Sequence, residues 1–397
     1  MRKIIIVPDS FKGTMSSRTV GEIMEDEARI FWPEVEIIRM EVADGGEGSV
    51  DAFLSILKGK RQRVKVTGPY GEKIDSFYGE SGETAVIEMA AAAGLPLAGK
   101  RLEAGEATTY GVGELIRAAL DRGARKIILG LGGSATNDGG AGALAALGIR
   151  FLDKAGEVFV PVGNTLGRIE KIDISGLDTR IRETELLVMC DVDTVLCGEH
   201  GASAIFGPQK GASPEDVVRL DRGLKHFAEK TYEAVGVDVR MLAGGGAAGG
   251  MGAGVYAFLG GQMERGIDIL LEAAEFDRLL EGCSVVMTGE GKIDGQSACG
   301  KVVAGVAGKA GKQQVPVIAV GGAVTEEADV LYDMGVSAMF AVNRRALPFE
   351  ELRKTTEIDL RKTVYNIFRM WKTVEEKEEH FHGKDRETAG ISMGMFF

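Results

Sequence analysis

Acidic residues and lysines recur between glycines, each time just after a short apolar run. Asp9-Ser10-Phe11-Lys12-Gly13 follows KIIIVP, and Asp44-Gly45-Gly46-Glu47-Gly48 follows VEIIRMEV. Asp191 ends the strand read in ELLVMCDV, one residue before Val192, while Glu290 and Asp294 follow SVVMTG. Lys210 and Lys301 stand in comparable glycine-flanked places. An apolar run of this kind reads as a buried strand, and ligands of open α/β sheets gather at the carboxyl ends of strands. The chemistry that needs such a set is phosphoryl transfer. Its transition state spreads negative charge over phosphate oxygens, so catalysis rests on positioning and on stabilisation by backbone N–H groups, Lys and Mg²⁺.

Three loops narrow this further. Residues 132–140 place Ser134, Thr136, Asn137 and Asp138 between glycines ahead of a predicted helix. A helix N-terminus binds anions. One Asn or Asp would suffice as a cap, so four polar residues favour a ligand over capping alone. The run 244–250 contains G-x-G-x-x-G but lies far from the N-terminal strand-turn-helix unit where a dinucleotide fingerprint belongs. It reads as a phosphate cradle made by Gly245, Gly246 and Gly249, with an interdomain hinge as the alternative. Residues 295–301 narrowly miss a Walker A loop, because Val302 stands where Ser or Thr would hold Mg²⁺. Glu290 and Asp294 offer carboxylates to Mg²⁺ instead. A substrate carboxylate calls for Lys, and a substrate hydroxyl for Asp as general base.

These loops need elements to hold them. The chain opens β-α-β-α: a strand at 3–8, a helix from Ser16 or Ser17 closed by Pro33, a strand at 35–42 and a helix over 49–57. From about residue 62 the sequence alternates and carries turn signals, which predicts antiparallel hairpins. Buried strands resume at 284–291, 315–322 and 337–343. The expected organisation is an α/β protein. A discontinuous doubly wound parallel-sheet domain spans 1–62 and 285–375, and a mixed-sheet α/β domain is inserted at 63–284. A polar helix over 349–378 reads as packing, and 376–397 as a tail. Net charge is −12, which argues against nucleic-acid and membrane-surface partners. The four Cys and four His show no zinc spacing. The apolar run Ile4–Val7 is too short for a signal peptide or a span, so a cytoplasmic location is expected.

Taken in order, the motifs at 9–13, 44–48, 132–140, 190–192, 206–212, 246–250 and 288–297 closely resemble those of the bacterial class I glycerate kinases. The resemblance runs from Met1 to about residue 375. It departs after Val192, where Asp193-Thr194-Val195-Leu196 replaces the family's Asn-Pro-Leu stretch. The resemblance implies ATP-dependent phosphorylation of D-glycerate, to 2-phosphoglycerate or alternatively 3-phosphoglycerate. It also implies a flavodoxin-like domain with a second α/β domain inserted, the active site in the cleft between them, and a monomer or homodimer. Asp191 is then the expected base, and Lys12 or Lys210 meets the substrate carboxylate. ATP phosphates lie against 132–140 and 244–250, Mg²⁺ lies near Glu290 and Asp294, and Asp44 and Glu47 hold substrate or metal. Asp9, Ser10 and Lys301 complete the phosphate and substrate set. The rival readings are an NAD-dependent hydroxy-acid oxidoreductase and a noncatalytic sugar-acid sensor.

Overall fold

The computed structural model describes residues 1–42, 45–298 and 300–392, with side chains as far as 377. Its strands are β1 (Lys3–Pro8), β2 (Glu36–Arg39), β3 (Lys60–Thr67), β4 (Lys73–Ser81), β5 (Thr84–Glu88), β6 (Lys126–Gly130), β7 (Arg150–Leu152), β8 (Val158–Phe159), β9 (Lys171–Asp173), β10 (Glu185–Met189), β11 (Gln262–Glu264), β12 (Val285–Ile293), β13 (Val317–Val324) and β14 (Val336–Ala341). They fall into two compact units, one formed by Met1–Val42 with the chain from Phe276 on, the other by the chain between, to Glu275.

In the first unit the apolar runs pair as parallel neighbours in the order β14-β13-β12-β1-β2. Ile4, Ile5, Ile6, Val285, Val286 and Met287 are fully buried, as expected of strands covered on both faces. The helix Ser17–Phe31 starts where Ser16 accepts a hydrogen bond from the Thr19 N–H at 3.1 Å. It buries Val20, Ile23, Met24 and Ala28 and stops before Pro33. The same core takes Leu360, Val364, Ile367 and Phe368 from the last helix. The sequence predicts one helix over 349–378. The structure divides it into Phe349–Leu352 and Thr356–Ser392, and the apolar stripe belongs to the second piece.

The second unit holds a six-stranded sheet in the order β11-β10-β6-β5-β4-β3. The pairs among β5, β6, β10 and β11 are parallel, whereas β3–β4 and β4–β5 are antiparallel, so the sheet is mixed. A small antiparallel sheet, β8-β7-β9, has no counterpart in the sequence reading. The helix Ser49–Leu57 groups with this unit, as does β3, which pairs with β4 along its whole length from Lys60 to Thr67. The expected first segment extended to residue 62, past the point where the structure changes unit.

Candidate active site

The first unit carries a cavity of about 430 Å³ on the carboxyl edge of its sheet. Asp9, Ser10, Phe11 and Lys12 enter it from the turn after β1. Glu290, Gly291 and Lys292 come from the end of β12, and Gly322 and Ala323 from β13. Lys301 and Asn343 also line it, as do Phe349, Leu352 and Thr356. The Asp9 N–H donates to Gly289 O at 2.8 Å, which fixes the first turn against β12. Ser10 turns its N–H onto Asp9 Oδ1 at 2.6 Å.

Glu290 is the most perturbed acid there. It is 3% exposed, and its Oε2 accepts from Ser297 Oγ at 3.2 Å and faces Lys301 Nζ at 3.8 Å. Burial pushes its carboxyl up to about 7; Lys301 opposes that shift and the Asp9 charge adds to it. Asp294 differs. Lys292 Nζ lies 3.0 Å from Oδ2 and holds the carboxyl below the usual carboxylate range, and Asp294 does not line the cavity. Sequence proximity therefore joins two acids that the fold uses differently. Among the described residues, no three His, Cys, Asp or Glu side chains gather as a metal cluster. Mg²⁺ bound with nucleotide commonly takes only one or two protein carboxylates, and oxygen donors suit it, so Glu290 and Asp9 fit such an ion.

The second unit brings its glycine-rich loops into direct contact. Lys210, 2% exposed, donates from Nζ to Ser134 Oγ and to Thr136 O, both at 2.7 Å. Burial pushes its ammonium down to about 7, against the opposing charge of Asp138. Asn137 Nδ2 donates to Ser203 Oγ at 3.0 Å. Asp138 is fully buried and accepts from Thr109 N and Oγ1 at 2.8 Å, from Gly140 N at 3.1 Å and from Gly142 N at 3.2 Å. Burial raises its pKa, while these four donors pull the other way. Asp138 thus ties the Gly140 and Gly142 N–H groups at the start of helix Ala141–Ala146, whose N-cap position is Gly140.

The run 244–250 packs on the same loop. A Cβ on Gly249 (φ +68°) would lie 2.0 Å from Thr136 O, and one on Gly246 would lie 2.2 Å from Val195 O. The Gly139 N–H donates to Gly249 O at 3.0 Å, and Thr136 Oγ1 donates to Ala248 O at 3.3 Å. These glycines admit backbone against backbone. The Gly246 N–H donates to Thr194 O at 2.9 Å, so the altered stretch after Val192 meets this run directly. Gly245 keeps an ordinary backbone beside Leu242. No described strand leads into the run, so the arrangement of a dinucleotide fingerprint is lacking.

Asp191 lies exposed beyond β10 and accepts from the Gly266 N–H at 3.0 Å, at the start of helix Gly266–Ala273. Gly45 O accepts from the Gly132 N–H at 2.9 Å, which brings the 45–48 turn beside the 132–140 loop with Glu47 exposed. Asp44 lies outside the described residues, as does the apolar end 393–397. The sequence candidates therefore form two clusters. Asp9, Ser10, Lys12, Glu290 and Lys301 share the cavity of the first unit. Ser134, Thr136, Asn137, Asp138, Lys210, Gly246 and Gly249 interlock in the second. Asn343, Phe349, Leu352 and Thr356 were missed. Asn343 follows β14, the edge strand, which is mostly half-buried or exposed and not the buried strand expected at 337–343, so a buried run before a loop does not mark it.

A parallel sheet with acids and lysines at its strand ends, joined to a mixed sheet bearing interlocked glycine-rich loops, defines a two-unit α/β protein built for small-molecule chemistry. The chain belongs to the Glycerate kinase family, whose sequence profile matches residues 4–372. It is similar to a glycerate kinase of Bacillus cereus (strain ATCC 10987 / NRS 248), with 44% identity over 96% of this chain and all of that protein. It is also similar to the glycerate 2-kinase of Escherichia coli K12, with 46% identity over 86% of this chain and 90% of the relative. The crystal structure of a candidate glycerate kinase 2 from Salmonella typhimurium LT2 superposes with a TM-score of 0.82. It is 43% identical and covers 94% of this chain and 99% of its own.

Proposed function

We propose that this protein transfers the γ-phosphoryl group of ATP to a hydroxyl of D-glycerate, giving 2-phosphoglycerate. The observation that carries this reading is the convergence of Asp9, Lys12, Glu290 and Lys301 on one cavity in a chain of the Glycerate kinase family. Lysines neutralise charge on phosphate oxygens, and buried carboxylates hold a hard cation. Mg²⁺ accompanying ATP would supply neutralisation of phosphate charge. Glu290 and Asp9 are the residues that would hold it, in preference to the Glu290–Asp294 pair, because Asp294 is committed to Lys292.

Asp191 is proposed as the base that accepts the hydroxyl proton, since it is an exposed carboxylate at a strand end. Its bond from Gly266 N–H fixes one oxygen and so orients the group. Lys12 is the proposed partner of the substrate carboxylate. Lys210, closed off by Ser134 and Thr136, is better suited to holding the glycine-rich loops in register. The reading further takes the first unit to be flavodoxin-like, supported by its parallel order, which ranks 2-1-3-4-5 along the chain. A cytoplasmic enzyme, monomeric or homodimeric, completes the proposal. Phosphorus NMR of the product from ATP and D-glycerate tests it. A 2-phosphoglycerate signal is expected; a 3-phosphoglycerate signal removes the positional claim, and no phosphorylated acid removes the kinase reading.

A further inference from the structure

We infer that the segment 343–356 forms the nucleoside-binding wall of the first unit's cavity, with the ring of Phe349 as the face on which the base stacks. The inference rests on the kinase reading above for the identity of the ligand.

The cavity's size and lining both exceed what the three-carbon acid at Lys12 would use. At about 430 Å³ it falls among sites for ligands much larger than glycerate. Glycerate is polar at every position and has no flat apolar face. Yet Phe11, Ala323, Phe349 and Leu352 line the cavity alongside Lys12, Lys292, Lys301, Asp9 and Glu290. A ligand that uses both kinds of surface carries an aromatic ring system and several negative charges. A nucleoside di- or triphosphate has that combination.

Phe349 is placed to supply the ring contact. It is 57% exposed although it lines a cavity, so its ring has surface left for a ligand. Its Cζ would lie 3.9 Å from a Cβ on Gly13, so the ring stands over the turn that presents Asp9 and Lys12. Leu352 and Phe11 are buried beside this cavity. Asn343 adds an amide, and Thr356 keeps acceptor capacity while its hydroxyl donates to Leu352 O at 2.9 Å. The sheet supports the same site. The chain steps outward from β1 to β2 on one side and resumes at β12 on the other, so strand order reverses between β1 and β12. Ligands of open α/β sheets lie in the crevice at such a reversal, and Asp9–Lys12 and Glu290–Lys292 flank it.

The test is calorimetric titration of the full chain with ADP and, separately, with inorganic tripolyphosphate, together with KM measurements. Phe349→Ala is expected to weaken ADP binding by roughly five- to a hundred-fold, the range of a lost base–aromatic stack. Tripolyphosphate binding and the KM for D-glycerate should stay within about two-fold, and Phe349→Trp should keep ADP binding. A raised KM for D-glycerate with ADP binding intact would mean that Phe349 faces the acid and not the base, and overturns the inference. So does equal loss of ADP and tripolyphosphate, or no change in either. If the unaltered protein binds ADP in a Phe349-dependent way but releases no ADP from ATP with D-glycerate, the kinase reading fails and the nucleoside site stands.

Discussion

Replacing Lys210 by Met removes a buried amine while keeping most of the stem that fills its place. The ammonium of Lys210 sits at about 7 in the folded protein, whereas a solvated lysine titrates near 10.4. Below about pH 7 both states carry the proton, and the folded state bears the cost of a buried charge. Between about 7 and 10.4 only the unfolded chain holds it. Stability rises with pH wherever the unfolded state binds more protons, by about 1.4 kcal/mol per pH unit for one proton. From about pH 7 to pH 9 the unaltered protein should therefore gain roughly 2–3 kcal/mol relative to Lys210→Met. For a unit the size of Ala43–Glu275 that is roughly 5–10 °C in melting temperature. Subtracting the two profiles cancels the titration of groups that both proteins share. The substitution also leaves Ser134 Oγ and Thr136 O without their donor, a roughly pH-independent loss. Thermal unfolding at several pH values gives the slope. A stability of the unaltered protein relative to Lys210→Met that stays constant, or falls as pH rises, refutes the reasoning that Lys210 is held neutral by burial.

Glu290→Gln should move the other way. The carboxyl sits at about 7, above its unfolded value, so its contribution is intact below about pH 4 and is lost as pH rises through about 7. Glu290→Gln should then gain roughly 3 kcal/mol on the unaltered protein between about pH 4 and pH 8, read by denaturant unfolding; parallel curves would contradict the burial argument. Asp191→Asn should lower kcat by about a hundred-fold or more while a melting curve shifts little, because Asn still accepts from the Gly266 N–H. Full turnover removes the base assignment. Gly249→Ala should cost well over 1 kcal/mol, since its Cβ would meet Thr136 O at 2.0 Å. Gly260→Ala, at the same φ of +68° with open space around it, should cost only about 1 kcal/mol. Equal losses would show that backbone strain alone, and not loop packing, sets the need for glycine at 249.

Much of the frame was legible because buried strands and amphipathic helices repeat a pattern over many residues. The helix Ser49–Leu57 starts and stops where the sequence predicts, between Gly48 and Lys58. The sheet β8-β7-β9 was not legible, since strands of two or three residues cannot display a period of two. Composition also cannot separate a ligand loop from a self-satisfied one. Ser134, Thr136, Asn137 and Asp138 are the residues a phosphate loop would use, yet each makes hydrogen bonds within the protein, and Asp138 accepts four. Ser203 and Thr109, which supply some of those partners, are distant in sequence and carry no local mark. The same blindness hid Phe349. The stripe Leu360, Val364, Ile367 and Phe368 accounts for the packed face of the last helix, so nothing in the pattern singles out Phe349 ahead of it. The turn at 353–355 separates Phe349–Leu352 from the packing helix. A strand end predicts where chemistry can occur; which side chains keep unused bonding capacity there is decided by partners that the local sequence does not contain.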